Sequence, residues 1–102
     1  MSGGSVERGR YPMPVDRGQA AQSWGERGYD CHRMTDRPGQ VWADFVHDVD
    51  ELVVVQSGKL EVIIDGQSFE AEPGDEVFIP KRAVHAVRNI ADENTCWIFG
   101  YA

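Results

Sequence analysis

Turn signals recur along most of this chain at intervals of about ten residues, and that rhythm constrains the fold more than any other feature. They are TDRPG (35–39), Ser57-Gly58, Asp65-Gly66, Pro73-Gly74 and the polar run ADEN (91–94). Between them lie short segments rich in β-branched and aromatic residues: QVWADFV (40–46), ELVVVQ (51–56), KLEVIID (59–65), QSFEAE (67–72), EVFIP (76–80), HAVRNI (85–90) and TCWIFGY (95–101), with YDCHRM (29–34) alternating ahead of them. Leu60, Val62 and Ile64 fall on one face of a strand, and Asp65-Gly66 is the dipeptide that best marks a two-residue hairpin. Pro73 and Gly74 suit the central positions of a type II turn. No stretch offers a convincing helical period. Roughly eight or nine short strands at this spacing predict an all-β sandwich or barrel of antiparallel strands.

The 102 residues suffice for one domain. Residues 1–22, rich in Gly, Ser, Arg and Pro, read as a flexible N-terminal arm or one that docks late; residues 23–102 read as a single barrel domain. Two strands, 51–55 and 96–101, are apolar on both faces, whereas a strand buried on one side would alternate. The second face requires a cover. A partner subunit is the simplest one, giving an expected homodimer, and the docked arm is the competing one.

Charge excludes some partners. Residues 1–40 carry six arginines against five acids, whereas residues 41–102 carry four Lys or Arg against twelve acids. So acidic a fold repels phosphate backbones and favours a cation, which argues against nucleic acid. No apolar run reaches the length of a membrane span, and the N-terminal residues lack a signal-peptide core, so a cytoplasmic location is expected. Cys31 and Cys96 form neither a disulfide framework nor a C-x-x-C pair, and both are expected reduced. Cys31 reads as a small core residue and its neighbour His32 as exposed.

Within HDVDELVVVQSG (47–58), His47 and Glu51 stand against an apolar run. Helical spacing would put them on one face, but the valines that follow favour a strand, a turn at 48–50 and an antiparallel neighbour opened by Glu51. Alone, this pair is an ordinary polar turn. A second element, GDEVFIPKRAVHAVRN (74–89), places Gly74, Pro80, His85 and Asn89 at fixed intervals.

Together the two elements resemble the cupin family. Its first motif, G-xxxxx-H-x-H-xxx-E-xxxxxx-G, corresponds to Gly39, Phe45, His47, Glu51 and Gly58, with Phe45 at a ligand position. Its second, G-xxxxx-P-x-G-xx-H-xxx-N, corresponds to Gly74, Pro80, Arg82, His85 and Asn89, with Arg82 where glycine is usual. The resemblance implies a small jelly-roll barrel holding one divalent metal ion through His47, Glu51 and His85. Two imidazoles and a carboxylate suit non-haem iron with open positions, and equally zinc, manganese or nickel. The implied function is a small metalloenzyme, dioxygenase- or isomerase-like, acting on a small organic molecule. The alternatives are a non-catalytic ligand-binding or sensor protein and a metal-free epimerase or dehydratase using a histidine as base; the catalytic residues themselves are unassigned.

Arginine at 82 suggests a turn of another shape, and Lys81-Arg82 could steer an anion toward the mouth. Asp44, Asp48 and Asp50 read as turn and surface residues, one of which could orient an imidazole. Trp42, Phe78, Trp97 and Phe99 read as core, and Phe45 as pocket lining.

Overall fold

The computed structural model describes residues 3–102, with Asp44 described by its backbone alone. Its elements are β1 (Ser5–Glu7), α1 (Arg17–Glu26), β2 (His32–Asp36), β3 (Val41–Phe45), β4 (Glu51–Ser57), β5 (Leu60–Ile64), β6 (Gln67–Ala71), β7 (Glu76–Ile79), β8 (His85–Asn89) and β9 (Thr95–Tyr101). The strands form two sheets, ordered β1-β7-β4-β9-β2 and β3-β8-β5-β6, and every ladder is antiparallel. From β6 onward each strand switches sheet, as in a jelly roll, so the predicted all-β architecture stands. The β5–β6 hairpin turns through Asp65 and Gly66 at φ 48° and 82°, a conformation that favours this dipeptide.

The two sheets close over one core. Val53 and Val55 of β4, Val77 and Ile79 of β7, and Leu60, Val62 and Ile64 of β5 meet there with Trp97. The outer face of the larger sheet is also buried: Leu52, Val54 and Ile98 pack against Tyr11, Val15, Ala20 and Trp24. The cover that β4 and β9 require is thus supplied within one chain, by the segment ahead of β2. Its docking needs a close approach at Gly100, where any Cβ would strike the Asp30 carbonyl and the Trp24 ring.

Helix α1 departs from the sequence expectation. It is capped by Asp16, whose carboxylate accepts from the Gly18 and Gln19 N–H groups at 2.8 and 3.2 Å. Its buried residues are Ala20 and Trp24, four apart, too few to declare a period. Two further expectations are corrected. TDRPG does not end β2 at Met34, because Thr35 and Asp36 pair onward with Cys96 and Thr95. The strands on either side of His47 are also not neighbours: β3 pairs with β8, β4 with β7 and β9, and the two lie in opposite sheets. Among the described residues no helix is long and apolar enough to cross a membrane.

Candidate metal centre

His47, Glu51 and His85 converge at one end of the interior, each offering a ligand atom within 4.8 Å of the others. Glu51 opens β4 on the inward face it shares with Val53 and Val55, and only 4% of it is exposed. His85 opens β8, buried between Phe45 and Ile64 in the ladder register. His47 follows β3 in the connection that crosses from one sheet to the other, so the crossing brings it opposite Glu51. Its carbonyl is held at 2.6 Å by the Arg82 N–H.

The donor count at this cluster does not balance. His85 Nδ1 lies 3.1 Å from the Ala83 carbonyl, an acceptor that fixes the proton on Nδ1. A neutral His85 then turns a bare Nε2 toward Glu51 Oε1, 3.2 Å away, and His47 Nε2 lies 3.7 Å from the same oxygen. Glu51 Oε1 is buried without a hydrogen-bond partner. Two lone pairs, with the His47 ring nitrogen beside them, thus converge where something positive belongs: a metal ion, or a proton on His85. Burial favours the neutral imidazole, but the Glu51 contact and the Ala83 carbonyl outweigh it and raise the His85 pKa above the ordinary histidine value. The residues fit a divalent cation.

A cavity of about 110 Å³ opens onto the cluster. Phe45, in the family's remaining ligand position, stacks on His47 at 5.9 Å between ring centroids and lies 6.1 Å from His85. It is 38% exposed, lining the mouth as its place in the motif suggested. Trp42, Trp97 and Phe99 line the cavity as well as packing on the core, while Phe78 belongs to the outer face. Sequence reasoning missed Tyr101, whose Cα pairs with Glu51 and whose ring meets His47 edge-on at 4.9 Å. It also missed Asp36, a buried acid that accepts both the Trp42 and Trp97 indole N–H groups. The period-two register of TCWIFGY puts Trp97, Phe99 and Tyr101 on one face, a signal that could have found Tyr101.

Other expectations resolve plainly. Arg82 has φ 68°, so the turn keeps the left-handed shape that glycine would supply and is not reshaped by arginine. The acceptor at the second nitrogen of His85 is a backbone carbonyl rather than an aspartate. Asp50 instead accepts the Lys81 N–H at 2.8 Å, Asp48 is exposed, and the Asp44 side chain lies outside the described residues. Asn89 is structural: its amide bonds the Asp36 and Glu93 carbonyls and accepts from Ala91 and Thr95. His32 is exposed, as read, whereas Cys31 is only half-buried, packed against the outer cluster and not within it.

Comparison with known proteins agrees with this geometry. The family model for the cupin domain matches residues 32–101. A curated protein named polyketide synthase CurC, from Streptomyces cyaneus, is 34% identical over 64 residues, or 62% of this chain, and the chain spans only 42% of that protein. The cupin domain of Schizosaccharomyces pombe Cnp3 superposes with a TM-score of 0.69 at 15% identity, over 72% of this chain and 55% of that one. A salicylate 1,2-dioxygenase from Pseudoaminobacter salicylatoxidans, solved with gentisate, gives 0.65 at 18% identity, over 72% of this chain and 19% of that one. At such identities these structures speak for the fold alone.

Proposed function

The chain belongs to the cupin domain family, and from that premise we propose that it holds one divalent cation through His47, Glu51 and His85 and acts on a small organic molecule entering the barrel mouth. The observation that carries this reading is the partnerless Glu51 Oε1, buried between two imidazoles. A buried carboxylate oxygen is costly without a hydrogen bond or a cation. Two histidines and one carboxylate leave coordination positions open, so a bound cation supplies a Lewis acid with room for oxygen or substrate. Oxygen-dependent cleavage is the leading chemistry, and metal-assisted isomerisation the next.

The chain's own residues define the rest. The Ala83 carbonyl keeps the His85 proton on Nδ1 and so leaves Nε2 to the cation. The Arg82 N–H anchors the backbone of His47. Phe45 occupies the remaining ligand position without donating, and keeps that approach apolar. A second reading rests on the 3.2 Å His85–Glu51 contact, which without metal would hold a proton for acid–base chemistry.

Elemental analysis of protein purified without chelator, followed by calorimetric titration with iron(II), manganese, zinc and nickel, tests the choice. One equivalent of metal is expected, abolished in His47→Ala, Glu51→Ala and His85→Ala, with oxygen uptake over a substrate panel as the activity assay. Binding by the parent and by Glu51→Ala alike would overturn the metal reading. No metal at all, with turnover lost in His85→Ala, would favour the acid–base one.

A further inference from the structure

The cavity wall is specialised beyond what holding a cation requires. Trp42 and Trp97 both spend their indole N–H on Asp36 Oδ2, at 3.1 and 2.9 Å, so their polar edges are satisfied and their carbon surfaces are left for the cavity. Phe99 continues that wall, 5.1 Å from Trp97 and 5.9 Å from Tyr101 between ring centroids. Phe45 faces it at the mouth. Among the described residues no lysine or arginine lines the cavity, and Glu51 is its one acidic residue. A carboxylate or phosphate buried against this wall would find no lysine or arginine there and would face Glu51, which competes for any proton on His85. The volume, about 110 Å³ and open at the mouth, is on the scale of the roughly 150 Å³ that takes a single benzene-sized ring.

Resting on the reading above that this mouth is where a small molecule is bound, we propose that the ligand is an uncharged, planar aromatic ring bearing a hydroxyl group. The ring stacks within the Trp97–Phe99–Tyr101 wall, and the hydroxyl reaches the histidine–glutamate cluster. Without a cation, that hydroxyl supplies the donor that Glu51 Oε1 lacks; with one, it is the atom that meets the metal.

Three indole N–H groups provide the test. Those of Trp42 and Trp97 sit beside the cavity, whereas that of Trp24 lies across the sheet, bonded to Glu76, and serves as an internal control. Chelator-treated, ¹⁵N-labelled protein is titrated with phenol, cyclohexanol and benzoate. Phenol is expected to shift the Trp42 and Trp97 signals saturably with Trp24 unmoved, and the other two to bind about tenfold more weakly, the size of one aromatic contact. Phe99→Leu, at a half-buried site, is expected to weaken phenol by a similar factor while the Trp24 signal reports an intact fold. Cyclohexanol or benzoate binding as tightly as phenol, equal movement of all three indoles, or no movement at all would overturn the assignment. No metal takes part in this titration, so its failure and that of the metal reading are read separately.

Discussion

Two buried carboxylates stand on neighbouring strands of one sheet, Glu51 on β4 and Glu76 on β7, and they face opposite ways. Both are almost wholly buried, at 4% and 5% exposure. Glu76 lies under the N-terminal segment and is fully answered there. Its Oε1 accepts from the Tyr11 hydroxyl at 2.9 Å and the Trp24 indole at 2.7 Å, and Arg27 bridges both oxygens at 3.1 and 2.9 Å. Glu51, facing inward, has two imidazoles and no hydrogen bond on Oε1. Burial alone therefore does not separate a structural acid from a functional one; counting donors does. The satisfied carboxylate pins α1 and its flanks to the outer face, and the unsatisfied one leaves a place for a ligand.

Removing each carboxylate should drive the two apart, and this is the largest effect expected. Glu76→Ala strands Arg27, Tyr11 and Trp24 without their acceptor and should cost about 3 kcal/mol, as broken buried pairs do. In metal-free protein at a pH high enough to leave His85 neutral, Glu51→Gln should leave stability unchanged or raise it by up to about 1 kcal/mol, since it discharges an oxygen that then has no donor. Urea midpoints at constant slope measure both. A Glu51→Gln variant destabilised as much as Glu76→Ala would mean that Glu51 is an ordinary structural acid.

Phe45 offers the next largest effect. Phe45→His adds a nitrogen at the one ligand position this chain leaves apolar, beside His47 and His85. Metal affinity should rise by on the order of 10–100-fold, at least what outer-shell changes are worth. Any oxygen-dependent turnover should fall as an open position closes. Calorimetry against the parent decides it, and unchanged affinity would place Phe45 outside the metal's reach.

Glu76 and His85, the partner of Glu51, should also answer to pH in opposite windows. Burial pushes the Glu76 pKa up, but hydrogen bonds from Arg27, Trp24 and Tyr11 more than reverse this and leave it below the ordinary glutamate value. A lowered folded pKa means a contribution present above the unfolded value of about 4.3 and lost as pH falls through the folded one. The pKa of His85, paired with Glu51, is raised. In metal-free protein its contribution is full below the unfolded value of about 6.5 and is lost as pH rises through the folded one. Stability profiles of Glu76→Gln and His85→Gln should therefore flatten on opposite sides, the first in acid and the second near and above neutrality. Flattening on the same side would break the contrast.

The inward acid was legible in the sequence because its spacing to His47 and His85 forms part of a pattern that local physics alone does not explain. The strands were legible for a simpler reason: β9 begins at Thr95 and ends at Tyr101, as its composition and flanking turn predict. Glu76 gave no such signal. Its partners Tyr11, Trp24 and Arg27 lie some 50 to 65 residues away, in a segment whose helix has only Ala20 and Trp24 on its buried side. Contacts that long are set by the fold and not by local period. Asp36 was hidden the same way, since TDRPG has the composition of a turn while its aspartate holds two indoles from β3 and β9.

Arg82 gives the smallest effect and tests how the inward site is held. Its backbone sits at φ 68°, where a side chain costs about 1 kcal/mol and glycine nothing. Glycine also enlarges the entropy of the unfolded chain, which returns roughly half of that gain. Arg82→Gly should therefore raise stability by about 0.5 kcal/mol. It should leave metal affinity unchanged, because the group that anchors the His47 carbonyl is a main-chain N–H that glycine also carries. Arg82→Pro removes that donor and cannot adopt a positive φ, so stability and metal binding should fall together. If Arg82→Gly alone weakened metal or ligand binding, the guanidinium itself would be acting at the mouth, and the inward site would depend on a surface charge as well as on its buried backbone.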